Sequence, residues 1–284
     1  LNIGLFVKIH RVDFAEELKE IIQWLKSSGC RPLVDSLVVE RFRLQGVEAL
    51  QRERIPEEAD AIVVFGGDGT MLSVARLIQH HRCPILGVNL GSLGFLTEVT
   101  LDRLYGDLRS LLEGNYRLEQ RCMVKATLQR RSGETQEFHA LNDVVINKAA
   151  LARVISVDAF FDESFIANFV ADGMIISTPT GSTAYSLSAG GPIVYPTLES
   201  LVITPICPHT LTNRPLLIPP DHLIRFLLCS GRDVMLTIDG QVGVEFEQGD
   251  QVVCTRSPYK IELVRPSDRV FFDVLREKLK WAKR

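Results

Sequence analysis

An apolar run, Ala61-Ile62-Val63-Val64-Phe65, passes directly into Gly66-Gly67-Asp68-Gly69-Thr70 and then into Met71–Ile78, with apolar residues at 71, 72, 74, 75, 77 and 78. The first run has the length and composition of a buried parallel strand, and the last has the spacing of a helix. Three glycines in four positions let the backbone turn sharply and bring N–H groups close to a ligand. The helix N-terminus that follows adds partial positive charge, so the turn suits phosphate. Asp68 does not belong in a simple anion cradle, because a carboxylate repels phosphate. A proton-accepting or metal-contacting role accounts for it, and so does an ordinary helix cap. These five residues alone leave both readings open.

The turn sits in an alternating series. A strand at 2–9 is followed by a helix that Asp13 can cap, with Phe14, Leu18, Ile21, Ile22 and Leu25 on one face and Gly29 placed to end it. An extended run is expected at 33–39, and Pro84–Asn89 reads as another buried strand. That strand enters a second glycine turn, Gly91-Ser92-Leu93-Gly94-Phe95, and a helix from 101 to 113 closes the series. Such alternation predicts a doubly wound parallel sheet whose ligands sit outside the carboxyl ends of the strands, where both glycine turns lie.

From about residue 116 the pattern changes to extended runs. Arg117–Arg131 and Glu134–Ile146 are joined by a hairpin signal at Ser132-Gly133. Further strands are expected at 153–161, 164–170, 174–178, 222–229, 233–238, 243–247, 251–255 and 260–264, an antiparallel pattern that suggests two packed sheets. A terminal helix is expected within 267–284, capped by Ser267, with Phe271, Val274, Leu275 and Leu279 as its apolar stripe.

Composition narrows the class. The chain has 284 residues, 46% of them hydrophobic and 24% charged, which is ample core and no sign of disorder. A net charge of −3 argues against a nucleic-acid binder. No stretch approaches the ~18–20 apolar residues of a membrane span. Leu1–Lys8 lacks a basic lead-in and reads as a first strand, not a signal peptide. The six cysteines are scattered without Cys-x-x-Cys spacing, which fits thiols in a reducing cytosol better than zinc or a disulfide framework. His80-His81 reads as a dipole contact at a helix end.

Several familiar signatures fail. Leu72 stands where the dinucleotide fingerprint requires its third glycine, no phosphate-loop sequence occurs, and Ser188 has no hydrolase elbow around it. A second long motif is present instead: residues 172–192 read DGMIISTPTGSTAYSLSAGGP. Small, hydroxylated and glycine residues crowd a stretch that directly follows the apolar run Met174-Ile175-Ile176. Such a segment packs poorly but offers short donors and close backbone approach, which suits a ligand with ribose and amide groups, and Tyr185 can stack on a base. The adjacent polar pair Asn142-Asp143 lies inside the apolar run 141–146 and needs a satisfied environment there.

Taken together, Gly66–Thr70, the run Asn89 to Phe95, Asn142-Asp143, the 172–192 block and Asp239-Gly240-Gln241 resemble the NAD kinase family, in family order and over nearly the whole chain. The 172–192 block is specific to that family, whereas the glycine-Asp turn is shared with diacylglycerol kinases and 6-phosphofructokinases. The resemblance implies an α/β N-terminal Rossmann-like domain over 1–115, an all-β C-terminal sandwich over 116–266, and a last helix, 267–284, returning to the first domain. It implies transfer of the γ-phosphoryl group of ATP, or polyphosphate in some members, to the adenosine 2′-hydroxyl of NAD. A divalent metal (Mg²⁺ or Mn²⁺) and a cytoplasmic homodimer or homotetramer are implied as well.

Residue by residue, the resemblance makes Asp68 the general base, with Gly66, Gly67, Gly69 and Thr70 forming the phosphate-binding turn and the metal carried by ATP or touched by Asp68. Phe95 would pack on the adenine. Asn142 and Asp143 would hold the adenosine ribose, and Asp172 the nicotinamide end. Thr183, Ala184, Tyr185 and Ser188 would line the dinucleotide, with Gln241 and Arg153 as further contacts. Two departures stand out: many members carry Asn-Glu at the Asn142-Asp143 position, and Val170 stands where Arg or Lys is common. A lipid or sugar kinase sharing the turn, and a dinucleotide-binding regulator without catalysis, are the alternative classes.

Overall fold

The computed structural model describes residues 1–79, 81–91, 93–149, 153–265 and 270–281. It divides into two compact units, one made of Leu1–Gln120 with the segment from Ile261 onward, the other of Arg121–Lys260.

The first unit alternates strands β1 (Asn2–Val7), β2 (Arg31–Asp35), β3 (Glu48–Leu50), β4 (Ala61–Gly66) and β5 (Ile85–Asn89) with helices. The helices are α1 (Ala15–Ser27), α2 (Ser36–Phe42), the short α3 (Ile55–Glu58), α4 (Asp68–Ile78) and α5 (Leu104–Leu112). The strands pair in parallel in the order β3-β2-β1-β4-β5, so the direction of winding reverses between β1 and β4. Ligand crevices open at such a reversal. β4 is buried at all six positions because helices cover both faces of the sheet, as its unbroken apolar run requires. α1 buries Leu18, Ile21, Ile22 and Leu25, each contributing about 1.5–3 kcal/mol of transfer energy.

Two local expectations for this unit are corrected. Asp13 does not cap α1; it pairs with Arg11 at 2.8 Å, two residues back, and Phe14 occupies the cap position. The extended run 33–39 stops at Asp35, whose carboxylate accepts from Leu37 N–H at 3.0 Å and starts α2, so Val38 and Val39 are helical despite their β-branched side chains. The expected cap Ser267 and the histidine His80 lie outside the described residues, and α7 (Phe271–Leu279) begins with Asp273 accepting from the Val270 N–H at 3.2 Å.

The second unit is antiparallel. One sheet orders β13 (Leu216–Ile218), β12 (Leu201–Ile206), β11 (Gly173–Ser177), β8 (Asp143–Lys148), β15 (Val234–Ile238) and β16 (Val242–Glu245). The other contains β10 (Ser164–Ala171), β9 (Ile155–Phe161), β14 (Ile224–Ser230), β17 (Gln251–Arg265), β6 (Arg117–Gln129) and β7 (Thr135–Ala140). Inward residues of both sheets, including Val144, Ile146, Met174, Val157, Phe226 and Val252, share one core, which makes the unit a β-sandwich.

Here the expected strand 134–146 is broken at Leu141-Asn142, and the expected strands 251–255 and 260–264 are one strand. The sequence reading also passed over β12, which contains Pro205. That residue lies beyond the three positions paired with β13, so its missing N–H costs no ladder bond on that side.

Candidate active site

In the first unit the glycine turn leads straight from β4 into α4, and Asp68 is the first residue of that helix. The cap position belongs to Gly67, and no side chain caps the helix, so Asp68 is not the ordinary cap that its position allowed. Its carboxylate turns toward the segment after β5 instead. Oδ2 accepts from the Phe95 N–H at 2.9 Å, and Oδ1 accepts from the Leu96 N–H at 3.0 Å and faces the Thr97 hydroxyl at 3.4 Å. Asn89, the last residue of β5, donates through Nδ2 to Thr97 Oγ1 at 3.0 Å and accepts from the Gly91 N–H at 2.6 Å. The second glycine turn is therefore built around the Asp68 carboxylate. Gly94 makes this approach possible: a Cβ there would stand 2.0 Å from Asp68 Oδ1. Asp68 and Phe95 are both half-buried, and the structure brings them together as hydrogen-bonded neighbours.

On the other side of the turn a cavity of about 380 Å³ is lined by Lys8, His10, Asp35, Arg52, Gly67 and Thr70. Arg52 is fixed there, donating to Ser73 Oγ at 2.9 Å, pairing with Asp35 at 3.4 Å and lying over the Phe6 ring at 5.0 Å. Sequence reasoning did not single out Lys8, His10 or Arg52, because none belongs to a motif; only the fold places them beside the turn.

In the second unit the break between β7 and β8 is held by one carboxylate. Asp239 accepts from the backbone N–H groups of Leu141, Asn142 and Asp143 at 3.3, 2.7 and 3.2 Å. Asp239 stands in the tight turn just before Gln241, with φ at 51°, and its Asp-Gly signature was the visible signal for a residue that the sequence reading did not assign a role. Asp143 is buried next to it. Burial, and then the charge of Asp239, push the Asp143 carboxyl up to about 7. At neutral pH this side chain can therefore both donate and accept, which suits a ribose hydroxyl.

The 172–192 block separates into two sets of side chains. Thr178, Ser182 and Ser186 are buried and satisfied within the protein: Thr178 Oγ1 donates to Leu141 O at 2.5 Å, Ser182 Oγ to Pro179 O at 2.7 Å, and Ser186 Oγ lies 2.9 Å from Thr204 Oγ1. Arg121, also buried, donates to Thr180 Oγ1 at 3.1 Å. These hydroxyls fix the loop and are not offered to a ligand. Gly181 packs on Asn142 so closely that a Cβ would come within 2.1 Å of its carbonyl oxygen. Thr183, Ala184, Tyr185 and Ser188 form the outward set, half-buried or exposed, in and around the one-turn helix α6 (Tyr185–Ser188). Tyr185 is 44% exposed and is not a core residue.

The residues that the sequence suggests for a site in this unit fall into two groups at opposite ends of β11. In the ladder, Ser177 pairs with Asp143 and Gly173 with Asn147. Asn142, Asp143, Asp239 and Gln241 stand at the first end. Asp172 stands at the other, ion-paired with Lys148 at 3.5 Å, and Arg153 is exposed beside a cavity of about 620 Å³ with Arg232 and Asp233. Five strand residues separate the two ends, roughly 16 Å. Between them the outer face of the sheet is covered, with Ala189 packed on Val145, Ile175 and Ile206. Leu151 and Ala152, which precede Arg153 in its motif, lie outside the described residues.

Known proteins match this architecture throughout. The model of the ATP-NAD kinase N-terminal domain matches residues 3–116, and that of the ATP-NAD kinase C-terminal domain matches residues 141–266. A NAD kinase of Geotalea daltonii is 49% identical over 284 residues, covering 100% of this chain and 99% of that protein. A NAD kinase of Geobacter sulfurreducens is 48% identical, with the same coverage of each chain. Among solved structures, yeast NADH kinase complexed with NADH superposes with a TM-score of 0.92 at 26% identity, covering 100% of this chain and 88% of that one. A NAD kinase from Archaeoglobus fulgidus in complex with ATP shares the fold, with a TM-score of 0.78 at 24% identity and full coverage of both chains. These matches support neither a lipid or sugar kinase nor a non-catalytic regulator. With both halves matched by the family's domain models and all 284 residues aligned to close relatives, the chain belongs to the NAD kinase family.

Proposed function

We propose that this chain phosphorylates NAD at the 2′-hydroxyl of its adenosine ribose, with ATP as the γ-phosphoryl donor, and yields NADP. The observation that carries the reading is the Asp68 carboxylate, held by Phe95 and Leu96 N–H groups at 2.9 and 3.0 Å at the head of α4. In the reaction the 2′-oxygen forms a bond to the γ-phosphorus, the bond to the bridging oxygen breaks, ADP leaves with that electron pair, and Asp68 takes the hydroxyl proton. A ribose hydroxyl is a poor nucleophile, so a fixed proton acceptor adds to what positioning and charge neutralisation supply.

The turn Gly66–Thr70 receives donor phosphates, and the neighbouring cavity supplies Lys8 and Arg52 as cations. Mg²⁺ or Mn²⁺ enters as the complex with ATP, with Asp68 placed at the turn where it can touch it. Phe95 packs on adenine, Asn142 and Asp143 hold the adenosine ribose, and Thr183, Ala184, Tyr185, Ser188 and Gln241 line the dinucleotide. Asp172 and Arg153 serve the nicotinamide end. The position of Asp172 at the far end of β11 from Asn142 supports a reading in which it serves the dinucleotide of a second copy in a cytoplasmic homo-oligomer. No helix among the described residues is long and apolar enough to cross a membrane.

The test is Asp68→Asn, a nearly isosteric change. Turnover should fall by at least about 10²–10⁴-fold, the usual contribution of a general base. NAD affinity measured by calorimetry should stay within roughly tenfold, a difference of about 1.4 kcal/mol. Recovery of activity by excess Mn²⁺ would assign Asp68 to the metal instead, and near-normal turnover in a folded variant would remove it from the reaction.

A further inference from the structure

The two oxygens of the Asp68 carboxylate are not equivalent, and the difference identifies a residue without an assigned role. Oδ1 takes the Leu96 N–H and faces the Thr97 hydroxyl, whereas Oδ2 takes the Phe95 N–H as its one donor among the described residues. The direction of the Thr97 bond is fixed from behind. Asn89 Nδ2 can only donate, and it lies 3.0 Å from Thr97 Oγ1, so the hydroxyl proton points to Asp68. The Asn89 side chain cannot turn its oxygen toward Thr97 without giving up the bond from the Gly91 N–H at 2.6 Å. Gly94 leaves room for this pair: a Cβ there would lie 2.0 Å from Oδ1 and 2.4 Å from Thr97 Oγ1. Thr97 itself is fully buried, and its hydroxyl stands 3.4 Å from Oδ1, a long contact of the kind catalytic hydrogen bonds often show without substrate.

We propose that Thr97, oriented by Asn89, is a positioning residue that ties down Oδ1 and thereby leaves Oδ2 as the atom that receives the 2′-hydroxyl proton. This rests on the proposed role of Asp68 and goes beyond it by naming the reacting oxygen and the chain Gly91–Asn89–Thr97–Asp68 that selects it. The proton moves from the ribose oxygen to Oδ2 as the oxygen–phosphorus bond forms, while Oδ1 keeps its two donors throughout. Thr97 touches neither substrate, so its loss should change kcat and not KM.

The experiment compares wild type, Asp68→Asn, Thr97→Val and Thr97→Ser by steady-state NADP formation with NAD and Mg·ATP, alongside thermal melts. Valine keeps the shape and removes the hydroxyl. Thr97→Val should lower kcat by about 10–100-fold, the range for losing a hydrogen bond to a charged group, with both KM values within about threefold. Thr97→Ser, which restores the hydroxyl, should recover kcat to within about threefold of wild type. Should the valine variant not fold, Thr97→Ala takes its place with the same expected outcome. An unchanged kcat in the valine or alanine variant, equal losses in the serine and valine variants, or a loss that appears in KM would each overturn the proposal. If Asp68→Asn is itself active, the underlying reading fails; if it is inactive while Thr97→Val is normal, only the positioning role fails.

Discussion

Asp143 and Asp239 form a buried carboxyl pair in which three backbone N–H groups converge on Asp239, and Asp143 keeps its proton up to about pH 7. Its carboxyl is raised in the folded protein above its usual value, so the folded state binds the extra proton and the unfolded chain does not. The stability this contributes is full below about pH 4 and is lost as pH rises through about 7. Asp143→Asn should therefore flatten the decline in Tm between pH 5 and 8, by about 2–4 °C for each kcal/mol removed. Thermal melts of both proteins across that range check it, and parallel curves would contradict it. The same titration should give wild type a pH-dependent KM for NAD near neutrality that the Asn variant lacks. Tyr185, exposed on its one-turn helix, should behave differently. Tyr185→Ala should raise the KM for NAD about 2–10-fold through lost stacking and leave the KM for ATP unchanged. Equal KM values for NAD in the two proteins would place Tyr185 outside the dinucleotide site.

At the scale of elements, the second glycine turn is a fitted seat for Asp68. Gly94→Ala forces a methyl onto Asp68 Oδ1, which must move. Displacement of about an ångström at a reacting group costs on the order of 10²-fold in kcat, so this variant should fold and turn over slowly. A normal rate would show that the seat tolerates the methyl. The sequence made the seat half legible. Strand, glycine turn and helix were readable around residues 61–78, because a buried parallel strand and an amphipathic helix each write a distinct period. The partners of Asp68 were not readable, since Thr97 reaches it, with Asn89 behind, through side-chain rotamers and a chain reversal that no periodicity encodes. The 172–192 block shows the same limit. Its hydroxyl-rich composition pointed to a polar ligand, yet Thr178, Ser182 and Ser186 spend their hydrogen bonds inside the protein. The clamp by Asp239 also depends on tertiary contacts, whereas Asp35 caps α2 through the nearby Leu37 N–H, a local signal outweighed in the sequence by the β-branched pair Val38-Val39.

Over the whole molecule, a parallel α/β unit supplies the glycine turns and an antiparallel sandwich supplies the Asn142-Asp143 pair, each unit with its own core. Within the sandwich the separation of Asp172 from Asn142 along β11 makes a prediction about assembly. Asp68→Asn and Asp172→Ala should each be poorly active at low NAD, and mixed subunits should regain about a quarter of wild-type activity, because half the dimers carry one intact site. Failure of co-refolded or co-expressed variants to complement, with mixed oligomers verified, would assign Asp172 to its own chain's site. The central claim is the position of the new phosphate. Purified protein incubated with NAD and Mg·ATP, with the product read by phosphorus NMR and mass spectrometry, should yield one phosphomonoester, on the 2′-oxygen of the adenosine ribose. A phosphate on the nicotinamide ribose, or no phosphorylated dinucleotide from a folded protein supplied with either ATP or polyphosphate, would contradict the account.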